Sequence, residues 1–383
     1  MNKNVLYYLW LAGAFSYGSI KPGLILDQEP DACAFYHQFR RSTREFPFLK
    51  RSDLEALQKH TPSEYEERVL ECQRNDIHIL CYTDELYPER LRQIDSPPPV
   101  LYYRGDPTIL TERCIAMVGT RHSSEYGKQT TYRIAQKLAA YGIVIVSGCA
   151  GGIDTFAHTG ALEEGKTVAV LGTPLNRNYP AFNAELKRQI QEKGGLIISE
   201  YPVGAPVHRG FFPIRNRLIS ALSDAVLVME APQRSGALIT ASCAVEQGKD
   251  VFCLPPADIG NERYDGVKGY LRDGARPLLD ANDVLEFYRF SRRPLLPNLP
   301  EWESLEEKEE QIQEQKERQK EPTRLSDEAK KVFLVLSDRP REAEEIMRLV
   351  SVPPNGIFSA LTELELAGLI FKRGSGYYKK CIW

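Results

Sequence analysis

The chain has 383 residues, too many for one ordinary domain and enough for two or three. Hydrophobic residues at 42% and charged residues at 26% exclude a wholly disordered or fibrous chain. A formal net charge of −3, from 49 basic and 52 acidic side chains, excludes a globally basic nucleic-acid coat and leaves only a focused basic site for a polyanion.

Residues 1–100 read as a small helical domain, SAM-like or helix-hairpin-helix-like, with Gly18 and Gly23 as its only hairpin glycines of note. Met1 to Tyr17 lacks a small-residue cleavage site and reads as a first amphipathic helix rather than a signal peptide. Ser96-Pro97-Pro98-Pro99 closes the zone, because no regular element crosses such a run. No apolar stretch reaches the roughly 18 residues that a membrane span needs, so no membrane contact is expected.

Residues 101–290 alternate short apolar runs with amphipathic segments. The runs are Cys114–Val118, Ile143–Val146, Thr167–Leu171, Leu196–Ile198, Ala225–Met229 and Val251–Leu254, with helices between them such as Tyr126–Ala140 and Asn183–Glu192. This rhythm predicts an α/β domain: a Rossmann-like, doubly wound, mostly parallel sheet covered on both faces. Its ligand belongs beyond the carboxyl ends of the strands.

The loops at that edge carry the chemistry. Gly119-Thr120-Arg121-His122-Ser123-Ser124 follows the first run, with a tight-turn glycine, a cap in Ser123 or Ser124, and a cation in Arg121. Ser147-Gly148-Cys149-Ala150-Gly151-Gly152 follows the second, and its glycines allow close approach to the backbone. Neither loop is G-x-G-x-x-G, so no dinucleotide cofactor is expected. Asp154 and His158, four apart, read as a helix cap and its polar neighbour rather than as an acid–base or metal pair.

His208 to Arg217 holds Arg209, Arg215 and Arg217 with Phe211 and Phe212. Arginine forks suit phosphate oxygens and an aromatic face suits a base. One phenylalanine is expected in the core. Glu200 or Glu230 is the alternative partner for the paired arginines. Glu230-Ala231-Pro232-Gln233-Arg234-Ser235-Gly236 adds a further anion seat at Arg234 and Ser235. Convergence of these arginines on one edge is the argument for a polyanion ligand.

These segments resemble the DNA-processing protein A family (DprA, or Smf). The matching pieces run in order: VGTRHSSEYG (118–127), SGCAGGIDTFAH (147–158), VLGTPLNRNYPAFN (170–183), SEYPVG (199–204), FPIRNRLIS (212–220) and EAPQRSGALITA (230–241). The resemblance implies a non-enzymatic, dimeric single-stranded DNA binder without cofactor or metal. Such a protein protects incoming strands and loads a RecA-type recombinase in natural transformation. By motif position it implies strand contacts at Arg121, Arg209 and Phe212, with Arg215, Asn216 and Arg217 inside the motif. Ser123, Gly148, Gly151, Arg234 and Ser235 complete the expected interface. Two departures stand out. Gly151 occupies a position that is often basic in the family, and Gly266-Val267-Lys268-Gly269 replaces a Ser-x-Gly-x-Asn pattern, where Lys268 is expected to restore a phosphate contact.

Residues 291–324 are proline-rich, then dominated by Glu, Gln, Lys and Arg, and read as a charged linker. Residues 325–383 regain apolar periodicity: three helices and a hairpin at Gly374-Ser375-Gly376, a winged helix. Its third helix has no Lys or Arg from Val352 to Phe371, which favours a protein contact over base reading, while Lys372, Arg373, Lys379 and Lys380 offer a basic wing.

Eight scattered cysteines without C-x-x-C or zinc spacing predict reduced thiols and a cytoplasmic location. A lysine-decarboxylase-like (LOG) nucleotide hydrolase is the alternative. Its glycine motif is absent, and Glu246 stands at the wrong spacing.

Overall fold

The apolar runs of the middle zone are too short for helices and too uniformly apolar for a half-exposed sheet. In the computed structural model they form the centre of a nine-stranded sheet. The structure describes residues 4–42, 46–290, 325–336, 341–367, 369–373 and 376–379. The expected linker, 291–324, lies outside them. The chain divides into two compact units, Met1–Ser291 and Arg292–Trp383.

The strands are β1 (His78–Cys81), β2 (Val100–Gly105), β3 (Cys114–Val118), β4 (Val144–Ser147), β5 (Thr167–Leu171), β6 (Leu196–Ser199), β7 (Ala225–Val228), β8 (Asp250–Cys253) and β9 (Arg276–Pro277), in the order β1-β2-β6-β5-β4-β3-β7-β8-β9. From β6 to β9 every pairing is parallel. β2 joins β6 antiparallel and β1 joins β2 antiparallel. Every residue of β3 to β7 is buried, as two covered faces require. The chain steps outward from β3 to β6, then returns to lay β7 beside β3. That reversal makes a topological switch point between β3 and β7.

The helices are α1 (Val5–Ala14), α2 (Lys21–Gln28), α3 (Ala32–Arg41), α4 (Arg51–Lys59), α5 (Glu66–Arg74), α6 (Glu89–Arg92), α7 (Glu125–Ala140), α8 (Ile153–Glu164), α9 (Ala184–Glu192), α10 (Phe211–Ala221), α11 (Ala237–Glu246), α12 (Asp265–Arg272) and α13 (Ala281–Phe290). α7 packs on α8 and α13, and α10 packs on α11. Right-handed crossovers on either side of the reversal put these two groups on opposite faces.

The first five helices surround an aromatic cluster of Trp10, Phe35, Phe39 and Phe46, and the Trp10 indole N–H donates to the carbonyls of Leu57 (3.2 Å) and His60 (3.1 Å). Their core is continuous with that of the sheet. β1 comes from the stretch expected to be helical, because Ile79 to Cys81 are buried against β2 at the sheet's edge. Among the described residues no helix is long and apolar enough to cross a membrane, and the cysteines are free thiols.

The second unit has helices at Asp327–Val335, Ala343–Leu349 and Pro354–Leu366 and a small antiparallel sheet of β10 (Arg341–Glu342), β12 (Gly376–Lys379) and β11 (Ile370–Arg373), the winged-helix arrangement. Ala329, Val332, Ile346, Ile357, Leu361 and Leu364 form its core. The third helix exposes Asn355, Phe358, Ser359, Thr362 and Glu365, a surface without cations. The hairpin tip and Lys380, and the side chains of Lys372, Arg373 and Lys379, lie outside the described residues.

Candidate nucleic-acid interface

The loops after β3 and β7 meet at the switch point. The Thr120 N–H donates to the Glu230 carbonyl at 2.7 Å, lacing them together. Next to them a cavity of about 640 Å³ opens, bounded by Thr120–His122, by the start of α10 and by Pro232–Ala237. Three arginines stand at its lip. Arg121, Arg209 and Arg234 line the cavity, are exposed, and pair with no carboxylate among the described residues. The Arg121 guanidinium lies 5.7 Å from the centre of the Phe212 ring, a cation–π contact that leaves its N–H groups free.

Arg215 forms the floor. It is 5% exposed and donates to the carbonyls of Gly148 (3.0 Å) and Val170. Burial lowers its pKa, and the negative charge of Asp154 opposes that shift. Asp154 is itself pushed upward by burial. Arg215 holds it down, together with a hydrogen bond from the Ala150 N–H at 3.2 Å. A Cβ at Gly148 would come 2.6 Å from Arg215 Nη2, so a side chain there would displace the guanidinium. Asn216 lines the cavity but donates to the Gly236 carbonyl at 3.1 Å, tying α10 to the turn that opens α11. Ser235 also lines it, and its hydroxyl accepts the Ala237 N–H at 3.3 Å.

Three expected contacts face elsewhere. Arg217 grips Glu200 with two hydrogen bonds (2.7 and 2.9 Å) and Ser96 with a third (2.9 Å). Its charge is spent inside the fold. Lys268 pairs with Asp265 at 2.5 Å and donates to the Ile259 carbonyl at 2.8 Å, outside the lining of this cavity. Ser123 does not line this cavity either, and its hydroxyl is buried without a partner among the described residues. Ser124 is the cap of α7, accepting the Gly127 N–H at 3.0 Å. The anion at that helix start is internal. Fully buried Glu230 accepts the Ser124 N–H (3.0 Å) and hydroxyl (2.5 Å), and half-buried Arg263 approaches it at 3.4 Å.

His158 and Asp154 do not pair. The Thr167 hydroxyl donates its single proton to the Ile145 carbonyl (2.5 Å), so His158 Nδ1 donates to Thr167 Oγ1 (2.7 Å) and Nε2 is left without a partner. Burial, then the Arg215 charge, push the His158 pKa down to about 3. The ring is a neutral part of the core. Among the described residues no group of three or more His, Cys, Asp or Glu is placed to hold a metal.

A second cavity, of about 530 Å³, lies across the Arg121–Phe212 contact. Gly148 and Gly151 line it, together with two aromatics that the residue-by-residue reading missed, Tyr179 and Phe182. The Tyr179 ring is 5.5 Å from Phe212. Both belong to the NRNYPAFN stretch, and two aromatics three residues apart after the polar Asn176-Arg177-Asn178 were the available signal. Lys187 fixes that loop by donating to Asn178 (3.1 Å) and the Tyr179 carbonyl (3.2 Å). Asn183 ties it to the glycine loop through the carbonyls of Cys149 (3.0 Å) and Ala150 (3.1 Å). Of the two phenylalanines at the start of α10, Phe211 stacks on Tyr201 at 4.4 Å, while Phe212 turns to the cleft; neither is fully buried.

A family model described as DNA recombination-mediator protein A matches residues 78–289, and one described as DprA winged helix domain matches residues 315–375. A relative named Protein Smf, from Synechocystis sp., is 36% identical over 330 residues, spanning 81% of this chain and 82% of its own. The crystal structure of DNA processing protein A from Streptococcus pneumoniae superposes with a TM-score of 0.62 at 30% identity, covering 73% of this chain and 97% of that one. DNA processing protein A from Helicobacter pylori, whose structure is described for its single-stranded DNA binding mode, gives a TM-score of 0.51 at 32% identity, covering 56% of this chain and 95% of that one.

Proposed function

The chain belongs to the DNA recombination-mediator protein A family, and on that premise we propose that it binds single-stranded DNA in the cleft at the β3/β7 switch point. The observation that carries this reading is the lip: Arg121, Arg209 and Arg234 converge, unpaired, in a chain of net charge −3. Three separated cations suit several phosphates of one strand better than one phosphate group. The aromatics beside them offer faces to bases, which a duplex keeps stacked inside itself. Among the expected contacts, Arg215, Gly148 and Asn216 act as floor and scaffold in this reading, while Arg217, Ser123 and Lys268 take no part.

The bound strand is handed to a RecA-type recombinase during DNA uptake or recombination in the cytoplasm, and the working unit is a homodimer; the family assignment supports these steps. No reaction is assigned to the cleft. Glu246, the acid that a hydrolase reading requires, ends α11, nine residues and roughly 13 Å along the helix from the cavity-lining Ala237.

Fluorescence anisotropy with labelled oligo-dT and a matched duplex tests the reading. The single strand is expected to bind more tightly, with Arg121→Ala weakening it regardless of sequence. Equal binding of strand and duplex, or an Arg121→Ala protein with undiminished affinity, would contradict it.

A further inference from the structure

We propose that the two cavities divide the strand between them: phosphates lie in the larger, and bases enter the smaller, where one stacks on Phe182. The proposal rests on the single-strand reading and specifies how that same site tells a strand from a duplex. The larger cavity holds Arg209 and Arg234, and the smaller holds neither. Arg121 and Phe212 line both and form the ridge between them, with Arg215 beneath. The smaller cavity takes its walls from Leu171, Tyr179, Pro180 and Phe182 and from glycine backbone. The cations that belong to one side alone, Arg209 and Arg234, thus stand across the ridge from the exposed Phe182 ring, a separation that matches phosphate and base along a nucleotide strand.

Phe182 is the side chain this arrangement leaves without a use inside the protein. It is 71% exposed at the lip of the smaller cavity. Its loop does not float, because buried Lys187 and buried Asn183 anchor it on both sides through four hydrogen bonds. An aromatic ring held outward on a fixed support is preorganised for a flat partner. Gly151 completes the fit. A Cβ there would stand 3.0 Å from Phe182 Cζ, so the absent side chain lets the ring edge rest against the glycine loop. The partner this geometry suits is an unpaired nucleobase carried in by a backbone that the neighbouring arginines hold.

The test compares an oligo-dT 12-mer with an abasic strand of the same length, bound to the unaltered protein, to Phe182→Ala and to Phe182→Trp. The unaltered protein is expected to prefer the base-bearing strand. Phe182→Ala should lose about five-fold or more on oligo-dT and nothing on the abasic strand, with an unchanged salt slope. Phe182→Trp should keep the preference. Because Phe182 is exposed, both variants should unfold at the temperature of the unaltered protein. Equal loss on both strands, or no loss on either, overturns the proposal. Failure of the unaltered protein to bind either strand overturns the single-strand reading itself.

Discussion

The lip and the floor of the cleft are built from the same residue type and do different things. Arg121, Arg209 and Arg234 stand at the lip, exposed and without carboxylate partners among the described residues. Arg215 forms the floor and Arg217 faces away from the cleft, both inside the fold, with Asp154 and Glu200 as their counter-charges. An arginine at the floor supports the fold and one at the lip supports binding. The difference lies in which carboxylates the tertiary structure delivers to each.

The sharpest way to break that comparison is to disturb a buried arginine and look for a binding defect. Removing Arg217 leaves Glu200, 8% exposed, as an uncompensated buried charge. Arg217→Ala should cost about 3–5 kcal/mol in urea unfolding. The folded fraction should still bind oligo-dT with its salt dependence intact. Loss of binding without loss of stability would move Arg217 to the lip.

A second prediction for the interior follows from His158. Its folded pKa is depressed, so the unfolded chain takes up a proton first as pH falls. The neutral ring's contribution is present above the ordinary histidine pKa and is lost as pH falls from about 6.5 toward about 3. Between pH 7 and pH 5 this amounts to about 2 kcal/mol. His158→Asn, which keeps a donor toward Thr167, should remove that part of the pH dependence in denaturant titrations. An unaltered slope would mean that the ring is not held neutral.

At the lip, Arg121→Ala, Arg209→Ala and Arg234→Ala should each weaken strand binding by about tenfold or less, a cost near 1 kcal/mol. Each should leave stability within about 0.5 kcal/mol. The smallest effect belongs to Lys268→Ala. Its charge is taken by Asp265 and the Ile259 carbonyl, so strand affinity should stay within twofold. A tenfold loss would show that this lysine reaches the strand.

The sheet was legible because its central strands are continuous apolar runs with no alternative use. β1 was not, because four residues at a sheet edge after a helix carry no period of their own. The edge on which the arginines gather was legible from strand–loop–helix alternation. Their division into lip and interior was not, since Arg121 and Arg217 are the same side chain in similar polar segments. Sequence reading left Glu200 and Glu230 as equal candidates for the paired arginines. In the structure Glu200 takes Arg217, while Glu230 turns to the start of α7 and to Arg263. That choice depends on Glu230 packing against Ser124, 106 residues away, which no local pattern encodes. Tyr179 and Phe182 were missed as site residues because an aromatic in a loop reads as core until its exposure is known.

The salt dependence of oligo-dT affinity, for the unaltered protein and for the combined Arg121→Ala, Arg209→Ala, Arg234→Ala variant, tests the division most directly. If each lip arginine neutralises one phosphate, log affinity should fall against log salt with a slope steeper by about 2 in the unaltered protein than in the triple variant. The same affinity and the same slope in both proteins would contradict the account.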